Sequence, residues 1–165
     1  MELYVTPTSP YARMARIAVI EKGLSEQVKV RLALTRTENS PYYAINPSGR
    51  VPCLVRAGGP NLEDSQLICA YFDEIGSGPS IIAPLDSANW EYGRLEMLAR
   101  SYMDGLAVWA REVRRPKSEQ SPGIVAHETA RARRLADVWE QEIANPLMSG
   151  ALNMPQLTLI CALGS

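Results

Sequence analysis

The spacing of apolar residues changes midway along the chain and predicts an α/β first half followed by a helical second half. In the first half, short β-favouring segments alternate with segments in which apolar residues recur every three or four positions. These segments predict strands at 2–5, 28–34, 53–57 and 61–63, and helices at 10–22, 42–45 and 66–75. The order is β-α-β-α-β-β-α, and its last two strands form an antiparallel hairpin.

The second half is predicted to consist of helices alone. Apolar residues at three- and four-residue steps predict one helix over 87–115, with about 28 residues and a length of roughly 42 Å, and another over 124–143. The break at 116–122 predicts that these two helices form an antiparallel pair.

A further helix and the domain boundaries complete the predicted organisation. Asn153, with Gln156 three residues later and an apolar run behind it, predicts a capping box that begins a buried helix. We expect a first domain at 1–76, a partly apolar linker at 77–86 and a helical domain at 87–165.

Composition narrows the class of partner. Hydrophobic residues make up 46% of the chain and charged residues 21%, and the net charge of −1 argues against any general attraction to nucleic acid or an acidic membrane. Three cysteines without metal-ligand spacing predict no metal site and a reducing compartment. The first residues, 1–5, lack the basic region and apolar run typical of a leader, and no stretch approaches roughly 20 apolar residues, so we expect a cytoplasmic protein with small-molecule or protein partners.

Two helix starts carry candidate chemistry. Ser9 precedes the first helix, where unpaired amides and the helix dipole favour an anion, and Arg13 and Arg16 follow one and two turns later. Asp64 and Ser65 open the helix at 66–75 with a carboxylate and a hydroxyl, which could hold an ammonium group and a carboxylate of one ligand. At both sites the residues alone favour a simpler interpretation, in which serine and aspartate only cap the helix, since both are common helix caps.

A proline directly before a predicted strand marks the central segment, 46–55. Pro52 cannot donate to a sheet ladder, so it must lie at the first position of the strand or on an edge, which leaves the backbone of Val51 free. A cis bond at Val51–Pro52 would direct the Val51 carbonyl and amide outward, able to pair with an extended peptide. A trans proline that closes a turn is the alternative, and base rates favour it.

Taken together, three motifs resemble the N-terminal domain of cytosolic glutathione transferases, and most of all bacterial members with a serine at the active site. They are Thr8-Ser9-Pro10-Tyr11-x-Arg13, Asn46-Pro47-Ser48-Gly49-Arg50-Val51-Pro52 and Asp64-Ser65. The resemblance continues through Asp104-Gly105, Arg114-Arg115-Pro116 and Gln120-Ser121-Pro122, and so covers essentially the whole chain. It implies a thioredoxin-like domain with a mixed four-stranded sheet, followed by an all-helical domain.

The resemblance also implies a glutathione site. Val51, before a cis Pro52, would pair with the cysteinyl backbone of glutathione. Asp64 and Ser65 would hold its γ-glutamyl ammonium and carboxylate, and Arg50 would face its glycyl end. Glutathione would be a co-substrate, with no permanently bound cofactor.

In the same resemblance, Ser9 is the catalytic residue. Its hydroxyl would donate to the sulfur at a helix N-terminus and so favour the thiolate, which attacks an electrophile. Ser9 and Ala12 occupy the positions of the two cysteines in a thioredoxin-like dithiol motif, so glutathione must supply the sulfur.

The resemblance implies further partners with less residue-level support. A small hydrophobic electrophile would lie near Tyr11, Tyr102 and Met103, as expected of a detoxification enzyme. The protein would form a homodimer in which Asp104 reaches toward the partner's site.

The C-terminal part departs from the family pattern. The chain ends where the family normally continues with more helices, so we expect an incomplete electrophile pocket and exposed apolar surface on Trp139, Leu157 or Ile160 unless another subunit covers it. Gln156 replaces the usual aspartate of the helix cap, a change that should keep a reciprocal cap. A non-catalytic module that binds glutathione, apolar ligands or a protein partner is therefore the alternative to an enzyme.

Overall fold

A computed structural model describes residues 1–84, 86 and 89–164, which form two compact units. Among the described residues, the first unit, Met1–Ile82, contains four strands and three α-helices, and the second begins at Ala83 and contains three α-helices and two short 3-10 helices. In chain order the strands and α-helices are β1 Glu2–Val5, α1 Pro10–Glu21, β2 Lys29–Leu32, α2 Tyr42–Ile45, β3 Cys53–Val55, β4 Leu62–Glu63, α3 Ser65–Ile75, α4 Trp90–Val113, α5 Pro122–Glu142 and α6 Met154–Leu163.

The four strands form one mixed sheet in the order β2-β1-β3-β4. β1 is parallel to β2 and antiparallel to β3, and β3 is antiparallel to β4. The predicted fold class is confirmed: a thioredoxin-like unit with a mixed four-stranded sheet precedes a helical region. The predicted boundary positions at 76 and 86 stay predictions, and the predicted domain start at Ser87 lies outside the described residues.

Side chains alternate between the two faces of the central strands. Leu3 of β1 is paired with Leu54 of β3, and both are completely buried. Tyr4 and Cys53 are paired one residue along and so point to the other face, where the ring of Tyr42 lies 5.6 Å from that of Tyr4. Cys53 and Tyr42 belong to the same buried cluster, so α2 covers this face at the start of β3.

One strand prediction was wrong in its extent and its burial. Alternation over 28–34 predicted a half-exposed strand, but β2 contains four residues, all of them exposed. Leu32 exposes 71% of its side chain, whereas Val28 and Ala33 at the two ends are buried. β2 is an edge strand, and the pattern of apolar and basic residues did not reveal which neighbours each face would meet.

The two long helices of the second unit run antiparallel, as predicted. Arg94 near the start of α4 forms a bidentate ion pair with Glu142 at the end of α5, with N–O distances of 2.8 and 2.7 Å. Near the opposite ends, the indole of Trp109 donates to Thr129, and the backbone amide of Ser121 donates to Glu112. α4 has 24 residues, and the predicted start at Ser87 lies outside the described residues.

α6 begins with the predicted capping box. The Asn153 side chain accepts from the backbone of Gln156 at 3.1 Å, and the Gln156 side chain accepts from the backbone of Asn153 at 3.2 Å. The expected exposure of apolar surface is true of Ile160, which is 57% exposed, and wrong for Trp139 and Leu157, which are buried. Trp139 packs with four buried residues of this unit: Leu95, Ala99, Tyr102 and Leu159.

A buried ion pair ties the end of the first unit to α1. The ammonium of Lys22, only 2% exposed, lies 3.0 Å from the Asp73 carboxylate and donates to the carbonyls of Gly78 and Pro79. Asp73 also accepts from the backbone of Ile81 at 2.9 Å and from the hydroxyl of Ser80. Burial acts to raise the pKa of Asp73, but these hydrogen bonds and the Lys22 charge lower it overall.

Replacing Lys22 with methionine should lower the free energy of unfolding by about 3 kcal/mol, because it leaves the largely buried Asp73 carboxylate without its counter-ion. Urea unfolding at pH 7 measures this loss. Since the pKa of Asp73 is lower in the folded state, its stabilising effect is present above the unfolded pKa and is lost as the pH falls through the folded one. The loss should therefore shrink as the pH is lowered below about 3.8, the ordinary pKa of an aspartate.

Lys29→Met is the matched control, since Lys29 is an exposed residue of the edge strand. Its effect should stay within about 0.5 kcal/mol. Equal losses from Lys22→Met and Lys29→Met would contradict a stabilising role for the buried pair.

Candidate functional site

The sheet topology brings three predicted segments to one end of the first unit. β3 is antiparallel to both of its neighbours, and Cys53 at its start is paired with Tyr4 on β1 and Glu63 on β4. The start of β3 therefore lies beside the ends of β1 and β4. The residues before β3, the loop from β1 into α1 and the start of α3 all lie at this end of the sheet.

Val51 presents an unpaired backbone at this end. The Val51–Pro52 peptide bond is cis, as the resemblance implied, and the Val51 side chain packs against the cluster of Tyr42 and Cys53. Within residues 1–84, 86 and 89–164, the amide and carbonyl of Val51 form no hydrogen bond. An extended ligand can therefore pair with this residue without displacing a protein contact.

The preceding residue, Arg50, has both of its backbone groups bound. Its amide donates to the Ser48 hydroxyl at 3.2 Å. Its carbonyl accepts from the Tyr42 hydroxyl at 2.5 Å and from the Asn46 side-chain amide at 3.1 Å. Burial raises the pKa of Tyr42 to about 12, so its hydroxyl keeps its proton and stays a donor at neutral pH.

The carboxylate of Glu63 connects this turn to β4. One oxygen accepts from the Asn46 side-chain amide at 2.9 Å and from the Ser48 hydroxyl at 2.5 Å. Hydrogen bonds from Ser48 and Asn46 lower the pKa of Glu63. Sequence reasoning identified the Asn-Pro-Ser-Gly turn but missed Glu63 and Tyr42, since no local pattern links either residue to that turn.

Ser9 caps α1 and still has a proton to donate. Its hydroxyl oxygen accepts from the amide of Ala12 at 3.2 Å, which is the helix-cap interpretation. A hydroxyl can accept and donate at once, and the Ser9 O–H has no acceptor within the described part of the chain. The cap and a donor role toward a ligand are therefore compatible.

Asp64 caps α3 from an unusual backbone conformation. Its carboxylate accepts from the Gln66 amide at 2.8 Å, while its φ of 76° lies in the region that favours glycine. Such a conformation costs about 1–3 kcal/mol and is found most often at functional sites. Ser65 follows as a buried residue, only 1% exposed, so the two predicted ligand groups differ in their access to solvent.

The other predicted residues lie in separate places. Tyr11 is half-buried on α1 in the first unit, whereas Tyr102 and Met103 are buried residues of α4 in the second. The side chain of Asp104 on α4 is half-exposed, and its Oδ1 lies 3.6 Å from Nε of Arg100. The roles of these four residues stay predictions.

Neither a metal-binding cluster nor a membrane-spanning helix is found among the described residues. No group of three or more His, Cys, Asp and Glu side chains there could hold a metal ion. No helix among them has the length and hydropathy needed to cross a membrane.

We predict that Asp64→Gly is more stable than Asp64→Ala by about 2 kcal/mol, because glycine relieves the strained φ and alanine does not. Chemical unfolding of both variants measures the difference. Ser121, which caps α5 at an ordinary φ of −89°, is the control, and its glycine and alanine variants should differ by less than about 1 kcal/mol. Equal stability of the two Asp64 variants would argue against strain at this residue.

Comparison with known proteins points to one family. The family model described as "Glutathione S-transferase, N-terminal domain" matches residues 3–80. The Escherichia coli K12 protein called "Uncharacterized GST-like protein YibF" is 29% identical over 167 residues, covering 99% of this chain and 81% of that protein. A "Probable glutathione transferase" of Aplysia californica is 30% identical over 76 residues, covering 46% of this chain and 79% of its own length.

A solved structure extends the similarity to both units. It is that of a glutathione transferase family member from Pseudomonas fluorescens Pf-5 with bound glutathione, and it has a TM-score of 0.86 at 27% identity. The match covers 99% of this chain and 80% of that one. The family model, the relatives and this fold agree, and the chain belongs to the glutathione S-transferase family.

Proposed function

We propose that this protein is a glutathione transferase that joins the sulfur of glutathione to a small hydrophobic electrophile. The observation that carries the proposal is the backbone of Val51, which is unpaired among the described residues and lies at the sheet end where α1 and α3 also begin. It is supported by the Pseudomonas fluorescens relative, whose structure contains glutathione.

In this proposal the tripeptide lies extended across the sheet end. The Val51 amide and carbonyl pair with the cysteinyl backbone of glutathione, as in the addition of a strand. The carboxylate of Asp64 binds the γ-glutamyl ammonium, and the hydroxyl of Ser65, at the start of α3, binds its carboxylate. The guanidinium of exposed Arg50 attracts the glycyl carboxylate.

The proposed reaction is the attack of a thiolate on an electrophilic carbon. A carbon–sulfur bond forms, and the leaving group departs with the bonding electron pair. The Ser9 hydroxyl donates to the glutathione sulfur, and the N-terminus of α1 adds its positive potential, so that the thiolate is favoured over the thiol at neutral pH. Ala12 stands one turn after Ser9, so the sulfur comes from glutathione and not from a protein dithiol.

The remaining assignments are part of the same proposal. Tyr11 in the first unit and, separately, Tyr102 and Met103 in the second are the residues proposed to contact the electrophile, and Asp104 is proposed to contribute to a homodimer. The enzyme acts in the cytoplasm, where it removes reactive electrophiles. Glutathione is a co-substrate that leaves with each turnover.

Removal of the Ser9 hydroxyl should lower turnover more than tenfold, on the scale of a lost hydrogen bond to the reacting atom, while glutathione affinity changes little. Both Ser9→Ala and Ser9→Gly should show this loss in an assay with an aromatic halide. Glycine is the better-tolerated cap residue, so agreement between the two variants separates chemistry from helix stability.

Ser121→Ala provides the matched control. Ser121-Pro122 begins α5 as Ser9-Pro10 begins α1, and the Ser121 hydroxyl likewise accepts a backbone amide, that of Ile124 at 3.4 Å. Its removal should reduce stability but leave turnover within about twofold. Wild-type turnover in Ser9→Ala would overturn the catalytic assignment.

A second candidate is a non-catalytic module that binds glutathione. It is favoured by the hydrogen bond from Ala12 to Ser9, because capping α1 is sufficient reason for a serine at this position. In that case the strand edge and the start of α3 still bind the tripeptide, but no electrophile follows.

Calorimetric titration with glutathione and with S-hexylglutathione separates the two candidates. For an enzyme, both ligands bind and the hexyl group tightens binding at least tenfold, since burial of two methylenes already contributes about 1.6 kcal/mol. Equal affinity for the two ligands would favour the binding module. If neither ligand binds, both candidates are overturned.

A further inference from the structure

The carboxylate of Glu63 lies at the end of β4, one residue before the proposed ligand Asp64, and faces back toward the turn at 46–49. One Glu63 oxygen accepts from the side chains of both Asn46 and Ser48 and so connects β4 to that turn. These contacts join residues that are 15 and 17 positions apart in the sequence.

The contact with Glu63 completes the hydrogen bonding of the Asn46 side chain. One amide hydrogen is directed to Glu63 and the other to the Arg50 carbonyl, while the side-chain oxygen accepts from the Ser48 amide at 3.3 Å. With both donors and the acceptor engaged, the amide has one orientation that satisfies all of its partners. Glu63 therefore determines that the NH2 group of the Asn46 side chain, and not its oxygen, faces the Arg50 carbonyl.

The orientation of Asn46 in turn determines the direction of the Val51 amide. The Arg50 carbonyl and the Val51 amide belong to one peptide group. This group is planar and trans, since Val51–Pro52 is the only cis bond among the described residues. In a trans peptide group the carbonyl and the N–H point in opposite directions. Since Asn46 and Tyr42 hold the carbonyl, the N–H of Val51 points away from the turn.

We propose that Glu63 is a positioning residue for glutathione: through Asn46 it fixes the peptide group that presents the Val51 amide to the ligand. The inference rests on the proposed function, because it concerns the same binding site. Glu63 itself touches the turn and not the ligand.

Two effects of Glu63 on affinity have opposite signs, which makes the inference testable. Glutathione is a net anion at neutral pH, so removal of a nearby carboxylate would tighten binding if charge alone mattered. Loss of positioning weakens binding instead. The sign of the change in Kd therefore decides between the two effects.

The experiment is calorimetric titration of glutathione into the wild-type protein, Glu63→Ala and Glu63→Gln at fixed salt. Glu63→Ala should raise Kd about tenfold, with an unchanged number of sites per chain. Glu63→Gln should recover most of this loss, because the glutamine side-chain oxygen can accept from both Asn46 and Ser48. A merely structural role would lower the number of competent sites and leave Kd unchanged.

Asn46→Ala cuts the same connection at its other end and keeps the test decisive if Glu63→Ala folds poorly. It should raise Kd by a similar factor, and the double variant should lose no more than either single one, as expected for residues that act in series. Glu26→Ala, which removes an exposed carboxylate from the same unit, should leave Kd within about twofold.

The possible failures are distinguishable. If wild-type protein binds glutathione and Glu63→Ala binds it equally or more tightly with full stoichiometry, the role of Glu63 is overturned and the proposed function is not. If wild-type protein does not bind glutathione, the proposed function is overturned and this inference with it.

Discussion

The peptide group between Arg50 and Val51 is held on its carbonyl side by two donors, and the geometry of the site depends on that restraint. A peptide group at an unpaired strand edge is free to bind a ligand but is also free to rotate. Fixing it in one orientation on binding costs entropy, which lowers the affinity for the ligand. Here the protein binds one side of the peptide group fully and leaves the other side open. The result is a donor that is exposed and still oriented.

This arrangement is possible because the strand that follows is antiparallel to both of its neighbours. The start of β3 meets the ends of β1 and β4, and each of those strands leads directly into a helix. Two helix N-termini and one strand edge therefore meet without any long loop. Each helix start retains its own cap, at Ser9 or Asp64, so the groups proposed to bind ligand are held in place before the ligand arrives.

Local signals in the sequence predicted the order of elements, the caps and the proline at the mouth of β3, because each depends on residues within a few positions of one another. The features that were missed depend on distant partners. Glu63 interacts with a turn 15 residues earlier, and the exposure of Leu32 follows from the edge position of its strand. The positive φ of Asp64 is likewise a feature that aspartate alone does not predict.

The contacts of Lys22 bear on how the chain can be divided. Gly78, Pro79 and the partners of Asp73 at Ser80 and Ile81 all lie beyond the end of α3, yet they satisfy a charge buried in the first unit. A protease cut directly after α3 would keep the Asp73 carboxylate but remove the two carbonyls that accept from that ammonium. A fragment that keeps all of these contacts has to extend at least to Ile81.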